Sequence, residues 1–427
     1  MYYVTEFLDH FIMVFNGIVG GTFAVLFAYQ LFFLIVGMLV KRKEYEAKTL
    51  HKYAFLVAAR NESAVIANLI DSILRQNYPA ELIDIYVVAD NCTDNTADVA
   101  RAAGATVYVR HNKEQVGKSY ALDFLLHKIR TDFPLAKYDG YFVFDADNLV
   151  TKDYVRRMND VFDNGYDVVT SYRNTKNFRS SWISACYGIY FLREALFLNN
   201  ARMRLGLNCA ISGTGFLVSA DIIEEHDGWK YNTLTEDLEF TMAESLLGKK
   251  IGYAAEAEFY DEQPITLKES LTQRMRWTKG GYQVFGLYGR SLFKRFIRGG
   301  GFTYYDLFIS VSTLMLLTVT LIIFDFAMFL GALLSGNPVM LGQVGLFALT
   351  SLLKTFIQIY LMMVLYSSCT LIKSWRKINA PARYKLLSAV TFPIFIFTCI
   401  PISIKALFVK VQWKPIKHSV ATKIDEL

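Results

Sequence analysis

An α/β domain with a mostly parallel sheet, inserted between transmembrane helices, is the fold class this sequence predicts. Three observations point to it. Strand and helix signals alternate through residues 51–290. Long apolar blocks with few or no charges flank that region on both sides. Three of the strands end in acidic or amide residues, and open parallel sheets bind ligands beyond the carboxyl ends of their strands.

The elements follow in order. Phe11 to Val40 carries no charged residue, and about 20 apolar residues suffice to span a bilayer. A secretory signal would begin basic and end in small residues. Here Glu6 and Asp9 precede the run, and Lys41-Arg42-Lys43 close it. Lys and Arg gather on the cytoplasmic side of spans, so the N-terminus is expected outside and residue 41 onward inside. Strands are expected at Tyr53–Val57, Ile83–Val88, Ala105–Val109 and Tyr141–Phe144. Helices are expected at Asn61–Gln76, Asp94–Ala103 and Ser119–Ile129, the last with Leu122, Leu125, Leu126 and Ile129 on one face. This βαβα order implies a mostly parallel sheet with helices on both faces.

Leu307 to Ile372 is the second apolar block, interrupted only by Asp325 and Lys354, with a turn signal at Ser335-Gly336-Asn337-Pro338. Two helices, near 304–334 and 340–372, are expected. Basic residues precede them (Arg290, Lys294, Arg295, Arg298) and follow them (Lys373, Arg376, Lys377, Arg383, Lys385), so both flanks read as cytoplasmic. Intramembrane charges face protein or water, so Asp325 and Lys354 are candidates to line a channel or to sit near an interface. Leu386 to Val409 contains Pro393 and Pro401 and reads either as one kinked span or as a re-entrant hairpin. The basic tail (Lys410, Lys414, Lys417) favours a cytoplasmic end and so the hairpin. The expected organisation is a membrane helix over 1–45, a cytoplasmic catalytic domain over 46–290 ending in interface helices, a channel region over 291–412 and a tail over 413–427.

Composition agrees with a chain that is not purely soluble. Of 427 residues, 53% are hydrophobic and 20% charged, and the mean hydropathy is +0.26. The 33 Phe, 26 Tyr and 5 Trp exclude a disordered chain. Five Cys without a C-x-x-C make neither a disulfide scaffold nor a zinc site, and no H-x-x-H occurs. A net charge of +6 calls for no nucleic acid.

The strand ends carry the chemistry. The first is followed by Arg60-Asn61-Glu62, the second by Asp90-Asn91-Cys92-Thr93-Asp94, and the fourth by Asp145-Ala146-Asp147-Asn148. Asp94 suits a helix cap. Asp145 and Asp147 are two apart, and paired carboxylates at a strand end suit a hard cation such as Mg2+ or Mn2+ with phosphate oxygens. Neither a P-loop nor a G-x-G-x-x-G after the first strand is present. Farther on, Leu267 to Lys279 reads as an amphipathic helix. Gln273, Arg276 and Trp277 fall at i, i+3 and i+4 and share one face. Arg276 can meet a diphosphate with two hydrogen bonds, and Trp277 offers a flat face to a sugar ring. The competing reading is an interfacial helix with Trp at the headgroups.

The ordered set Asp90, Asp145-Ala146-Asp147, Thr235-Glu236-Asp237 and Gln273-Arg274-Met275-Arg276-Trp277 resembles the membrane-embedded family 2 glycosyltransferases, which include the cellulose, hyaluronan, chitin and poly-N-acetylglucosamine synthases. The resemblance covers residues 51–290, and the flanking spans in layout only. It implies a GT-A (Rossmann-like) domain, an inverting transfer from a UDP-sugar, and a polymer passing through the membrane helices. By motif position, Asp90 and Glu62 would contact the nucleoside and Lys118 the nucleotide. Asp145 and Asp147 would bind the metal-chelated diphosphate, and Asp237 would be the general base. Gly213 and Thr214 lie where the family places a loop near sugar and acceptor. Glu236, Gln273, Arg274, Arg276 and Trp277 complete the substrate-binding set. Thr235 is the better candidate to cap the helix that starts here.

The functional expectation is a processive synthase in the plasma membrane that makes a β-glucan from UDP-glucose and secretes it, with N-acetylglucosamine the second sugar. Its partners would be the UDP-sugar donor, the growing polysaccharide acceptor and the lipid bilayer, with room for an extracellular or membrane accessory subunit. A hyaluronan-type synthase, a non-processive transferase onto a lipid, a transporter and an inactive scaffold are the alternatives. Too few spans weigh against a transporter and the intact acidic set against a scaffold. The few residues after Trp413 fall below the ~40 a domain needs to fold unaided, so no cyclic-dinucleotide-binding domain is expected there.

Overall fold

The computed structural model describes residues 2–312, 315–411, 418 and 420–426; Trp413, Lys414 and Lys417 of the expected tail lie outside them. The uncharged N-terminal run forms one helix, α1 (Tyr2–Leu39), which begins early enough to include Glu6 and Asp9. The domain follows as β1 (Tyr53–Ala59), α2 (Ile66–Leu74), β2 (Ile83–Asp90), α3 (Thr96–Ala102), β3 (Thr106–Arg110), α4 (Lys118–Asp132), β4 (Gly140–Asp145) and β5 (Leu149–Val150). Then come α5 (Tyr154–Phe162), β6 (Val168–Thr175), α6 (Trp182–Arg193), α7 (Asn200–Arg204), β7 (Phe216–Ser219), α8 (Ala220–Glu225), α9 (Glu236–Leu246), β8 (Ile251–Asp261) and α10 (Leu267–Ile297). A π-helical stretch, Glu194–Asn199, joins α6 to α7. The C-terminal helices are α11 (Phe302–Val311), α12 (Met315–Leu334), α13 (Pro338–Met340), α14 (Leu346–Ser374), α15 (Ala382–Phe397) and α16 (Cys399–Phe408).

The eight strands form one sheet in the order β3-β2-β1-β4-β7-β6-β8-β5. The first four are parallel, as their alternation with helices requires. Beyond β4 the sheet is mixed, because β7 runs antiparallel to both β4 and β6, and β5 antiparallel to β8. Strand β1 shows why its residues are apolar without alternation. Ala54 and Leu56 enter one core with Leu122 and Leu125 of α4. Tyr53, Phe55 and Val57 enter the other with Leu69 and Ile70 of α2. The parallel register brings the ends of β1, β2 and β4 to one edge, with Ala59 beside Ala89 and Ala58 beside Asp145.

The C-terminal helices depart from expectation in two places. The 304–334 stretch is two helices, because Ser312 leaves helical geometry at ψ 148°. The 386–409 block is a helix interrupted only at Thr398, with φ −65° and ψ −13° and no reversal of the chain, so the re-entrant hairpin is not what forms. Instead α15 packs on α6 and α14, and α16 on α10. Lys279 Nζ donates to the Ala406 carbonyl at 2.9 Å and the Tyr282 hydroxyl to the Ser403 carbonyl at 3.0 Å. Phe392 and Phe395 join the same core as Leu56, so the α/β domain and these helices share one interior.

Four helices among the described residues are long and apolar enough to cross a membrane: Tyr3–Leu39, Leu316–Leu334, Pro338–Ser374 and Ala382–Phe408. Within the first three, Asn16 Nδ2 donates to Asp325 Oδ1 and to Ser351 Oγ, both at 2.7 Å. Asp325 is 1% exposed, enclosed by protein rather than lining an open channel, and Lys354 is exposed and apart from it.

Candidate active site

The strand ends carry the residues that motif position assigns to the donor. β2 ends on Asp90, which is buried and accepts from Arg110 Nη1 at 2.6 Å. Arg110 is the register partner of Asp90 on β3, so the sheet itself sets this ion pair. Asn61 and Asn91 hold positive φ (59° and 53°) where the chain turns out of β1 and β2. Asp94 takes the N–H of Thr96 at 3.1 Å, so it serves the start of α3 as expected, although Asn95 occupies the cap position. Glu62 is 9% exposed and accepts from His418 Nδ1 at 2.9 Å. Burial raises the Glu62 carboxyl pKa against the opposing pull of His418. Burial acts to lower the His418 pKa, but Asp147, Glu62 and Glu262 push it up to about 10, so the ring is cationic.

The D-x-D pair splits. Asp145 is the open member, and its Oδ1 accepts from Lys118 Nζ at 2.5 Å. Asp147 is buried, with Oδ2 accepting from the Glu262 N–H at 2.7 Å. Burial would raise its pKa, yet the His418 and Lys176 charges and that N–H hold it below the ordinary carboxylate value. Among the described residues no cluster of three or more metal-ligating side chains occurs. Two carboxylates at one strand end nevertheless fit a cation that arrives on a diphosphate, since Mg2+ commonly takes one or two carboxylates and completes its shell with phosphate and water.

Lys118 joins the D-x-D pair to the Gly213 loop. Besides Asp145 it donates to the Gly213 carbonyl at 2.7 Å. Gly213 has φ +77°, and a Cβ placed on it would stand 3.6 Å from Asp237 Oδ2. Gly215, at φ +67°, admits no side chain, because a Cβ there would collide with the Phe259 ring. Thr214 between them accepts the Asp145 N–H at 2.9 Å and donates to Asn148 Oδ1.

Asp237 sits in the first turn of α9 and accepts the Leu238 N–H at 2.8 Å. Burial raises its pKa above the ordinary 3.8, overcoming that N–H and the Arg276 and Lys118 charges. Beside it, burial and then the Asp237 charge push Glu236 up to about 7. Thr235 does not cap α9 with its side chain. Its buried hydroxyl has no hydrogen-bond partner, and a Cβ on Gly280 would lie 2.5 Å from it, so close packing of α10 takes the space.

The Q-x-x-R-W helix is longer than expected, 31 residues, and Thr266 caps it by accepting the Glu269 N–H. Arg276 donates to the Leu234 carbonyl at 3.4 Å and faces α9. Trp277 stacks on Tyr190 of α6 at 6.2 Å. Gln273 keeps a buried, unpartnered Oε1. Arg274 does not join this group. Its guanidinium lies 3.9 Å over the Phe395 ring and donates to the Phe395 carbonyl, a structural contact to the C-terminal helices.

Sequence reasoning missed Arg173 and Asp261. Arg173 Nε donates to Asp261 Oδ2 at 2.7 Å and Nη1 to the Ser212 carbonyl at 2.8 Å, while its guanidinium lies 3.6 Å over the Phe191 ring of α6. No motif marks these residues; only the pairing of β6 with β8 brings them together.

A family model described as "Glycosyltransferase like family 2" matches residues 51–280. The chain belongs to glycosyltransferase family 2. Among curated relatives, a beta-monoglucosyldiacylglycerol synthase of Nostoc sp. is 30% identical over 307 residues, covering 68% of this chain and 60% of the relative. A poly-beta-1,6-N-acetyl-D-glucosamine synthase of Staphylococcus aureus is 26% identical, covering 57% of this chain and 58% of the relative. The matched stretch spans 49% to 60% of the first curated relatives' own length. A solved mannosyltransferase from Pyrobaculum calidifontis, in complex with GDP-Man and Mn2+, superposes at a TM-score of 0.54 with 15% identity, over 94% of this chain and 99% of that one. The fold is thus the mixed α/β GT-A type, as expected from the sequence.

Proposed function

We propose that this family 2 glycosyltransferase moves a hexosyl group, with inversion, from a UDP-sugar to a hydroxyl presented at the membrane face. The observation that carries the reading is the Lys118 bridge. It places the Asp145 carboxylate, suited to a metal-bound diphosphate, next to the Gly213 loop that abuts Asp237. Asp237 takes the proton of the acceptor hydroxyl as its oxygen bonds to the anomeric carbon, and the bond from that carbon to the β-phosphate oxygen breaks. Partial burial suits this task, since a raised pKa makes a carboxylate a better base. A divalent cation, when bound with the donor, neutralises the charge left on the diphosphate; Asp145 and Asp147 would hold it. Lys118 and Arg276 add fixed positive charge near the same group. Asp90 and Glu62 are assigned to the nucleoside by motif position.

Glucose is the first choice of sugar and a lipid hydroxyl the first choice of acceptor, supported by the name of the Nostoc relative and by the direct packing of α1, α14 and α15 on the domain. Processive extension and export are the second reading, favoured by the Trp277–Tyr190 stack, a platform for a sugar ring. In the membrane, α1, α12 and α14 are assigned as spans with the domain on the cytoplasmic side. α15–α16 is assigned to the interface, since it lies along α6 and α10 and His418 beyond it reaches Glu62.

Purified protein with Mn2+ and radiolabelled UDP-glucose or UDP-N-acetylglucosamine, in vesicles containing diacylglycerol, tests the reading. A single glycolipid product supports the first form and a long polymer the second. Turnover of UDP-N-acetylglucosamine alone would remove glucose. No release of UDP under any condition would remove the transferase reading.

A further inference from the structure

Arg173 on β6 has no assigned part in the proposed transfer, yet its contacts lead to three different motifs. Its Nη1 donates to the Ser212 carbonyl at 2.8 Å. The next residue is Gly213, where an added Cβ would stand 3.6 Å from Asp237 Oδ2. Its Nε donates to Asp261 Oδ2 at 2.7 Å. The residue after Asp261 is Glu262, whose N–H donates to Asp147 Oδ2 at 2.7 Å. Its guanidinium lies 3.6 Å over the Phe191 ring, and that ring meets Trp277 edge-on at 6.0 Å. The D-x-D pair, the turn beside Asp237 and the Trp277 helix face therefore converge on one side chain.

The sheet builds this convergence. β6 and β8 pair in parallel, with Arg173 beside Phe259 and Thr175 beside Asp261, so Asp261 stands two residues farther along the neighbouring strand. The turn that Arg173 reaches needs an outside hold. Gly213 and Gly215 both have positive φ and carry no side chain to restrict the backbone. Two cations supply the hold at successive carbonyls. Arg173 takes that of Ser212, and Lys118 of α4 takes that of Gly213 at 2.7 Å. Each cation is anchored by its own carboxylate, Asp261 for Arg173 and Asp145 for Lys118. A planar guanidinium can grip a carboxylate and a carbonyl on different elements at once, in a fixed geometry that a lysine ammonium does not reproduce.

We propose that Arg173 is a positioning residue for the transfer. It holds the Gly213 turn against Asp237 and locks that turn, the Trp277 face and the Asp147 end of β8 into one arrangement. It acts through these groups rather than on the substrate. The inference rests on the transferase reading and deepens it.

The test must separate positioning from mere stability. Arg173→Gln and Arg173→Lys are compared with the unmodified chain and with Arg202→Gln. Arg202 forms another buried ion pair, with Asp306, and its side chain bonds only Asp306, Asn199 and Ser310, none of them a motif residue. Calorimetry with UDP and Mn2+ counts the folded sites and gives their affinity. UDP release from UDP-glucose or UDP-N-acetylglucosamine, in vesicles containing diacylglycerol, gives turnover per site. Hydrogen exchange reads the Gly215 N–H, which bonds the Val143 carbonyl at 2.9 Å. Arg173→Gln is expected to lower turnover per site by about 10–100-fold, the cost of displacing a group by about an ångström. UDP–Mn2+ affinity and the KM for the donor stay within about twofold, and Gly215 exchanges about tenfold faster. Arg173→Lys keeps the charge but not the fork, so a loss of at least about fivefold remains. Arg202→Gln reduces the number of sites without changing turnover per site. Normal turnover per site in Arg173→Gln overturns the proposal, as does full recovery in Arg173→Lys or an equal loss of UDP affinity. If Arg173→Gln yields no UDP-binding protein, Arg173→Lys decides. If the unmodified chain releases no UDP from either sugar, the transferase reading falls, while Gly215 exchange still decides whether Arg173 holds the turn.

Discussion

The proposed donor half and the proposed acceptor half of this site treat their charges in opposite ways. On the donor side every carboxylate is already matched: Asp90 by Arg110, Asp145 by Lys118, Glu62 by His418, and Asp147 by the Glu262 N–H and nearby cations. On the acceptor side Asp237 and Glu236 have no ion-pair partner among the described residues, and the pKa of each is raised. On the proposed reading, a donor carrying a diphosphate and a cation would have to exchange partners with groups that are paired beforehand. The acceptor side holds carboxylates under desolvation, which is the condition for proton transfer at a raised pKa.

Substitutions can break this contrast. The largest effect is expected at the base. Asp237→Asn should lower turnover by at least ~100-fold while UDP–Mn2+ binding stays normal, because general-base catalysis contributes about 10²–10⁴-fold. Near-normal turnover would remove Asp237 from the mechanism and make Glu236 the next carboxylate to test. On the donor side, Asp90→Ala leaves Arg110 buried with only the Gln115 carbonyl to bond. Breaking a buried pair costs about 3–5 kcal/mol, to be read by chemical denaturation of the solubilised protein. A cost below about 1 kcal/mol would mean the donor-side pair is not structural.

Smaller effects sharpen the comparison. Asp145→Asn removes the charge facing Lys118 and should weaken UDP–Mn2+ binding by about tenfold, measured by calorimetry with and without the metal. Equal loss without metal would assign Asp145 to holding Lys118 alone. The smallest effect is a pH shift. As the proposed base, Asp237 works deprotonated, so activity should fall as pH drops through a value above the ordinary 3.8 of an aspartate. Arg276 favours the charged form of Asp237, so Arg276→Gln should move that acid limb to higher pH. A limb that moves down, or not at all, would separate Arg276 from the base.

What could be read from the sequence follows from distance along the chain. The strand ends Asp90 and Asp145, the Asp237 turn and the 273–277 helix face were legible because each is a local pattern within a few residues. The parallel half of the sheet was legible for the same reason: β1, β2 and β4 alternate with helices. The charge partners were not. Arg110 lies 20 residues from Asp90, Arg173 lies 88 from Asp261, and His418 lies 356 from Glu62, so no spacing rule joins them. The antiparallel strand β7 inserts between β4 and β6 out of sequence order, which no periodicity announces. Thr235 shows a local rule defeated by packing, since the approach of Gly280 leaves its hydroxyl without the N–H it would have capped. The π turn was invisible because its residues, Glu194–Asn199, carry an ordinary helical composition.

The Asn16–Asp325–Ser351 contact fixes more than three side chains. Its members come from α1, α12 and α14, and they meet at one level of the helical bundle. A slide of any one helix by a single turn, about 5.4 Å, would carry its polar group away and strand the Asp325 carboxyl among apolar neighbours. The bundle therefore has a vertical index mark. The same first helix also receives Arg204 of the domain on its Val36 carbonyl, near its other end. Its length between those two marks sets how far the α/β domain stands from the bundle, so α1 works as a gauge rod, and an unrelated helix of equal hydrophobicity would leave that spacing unset.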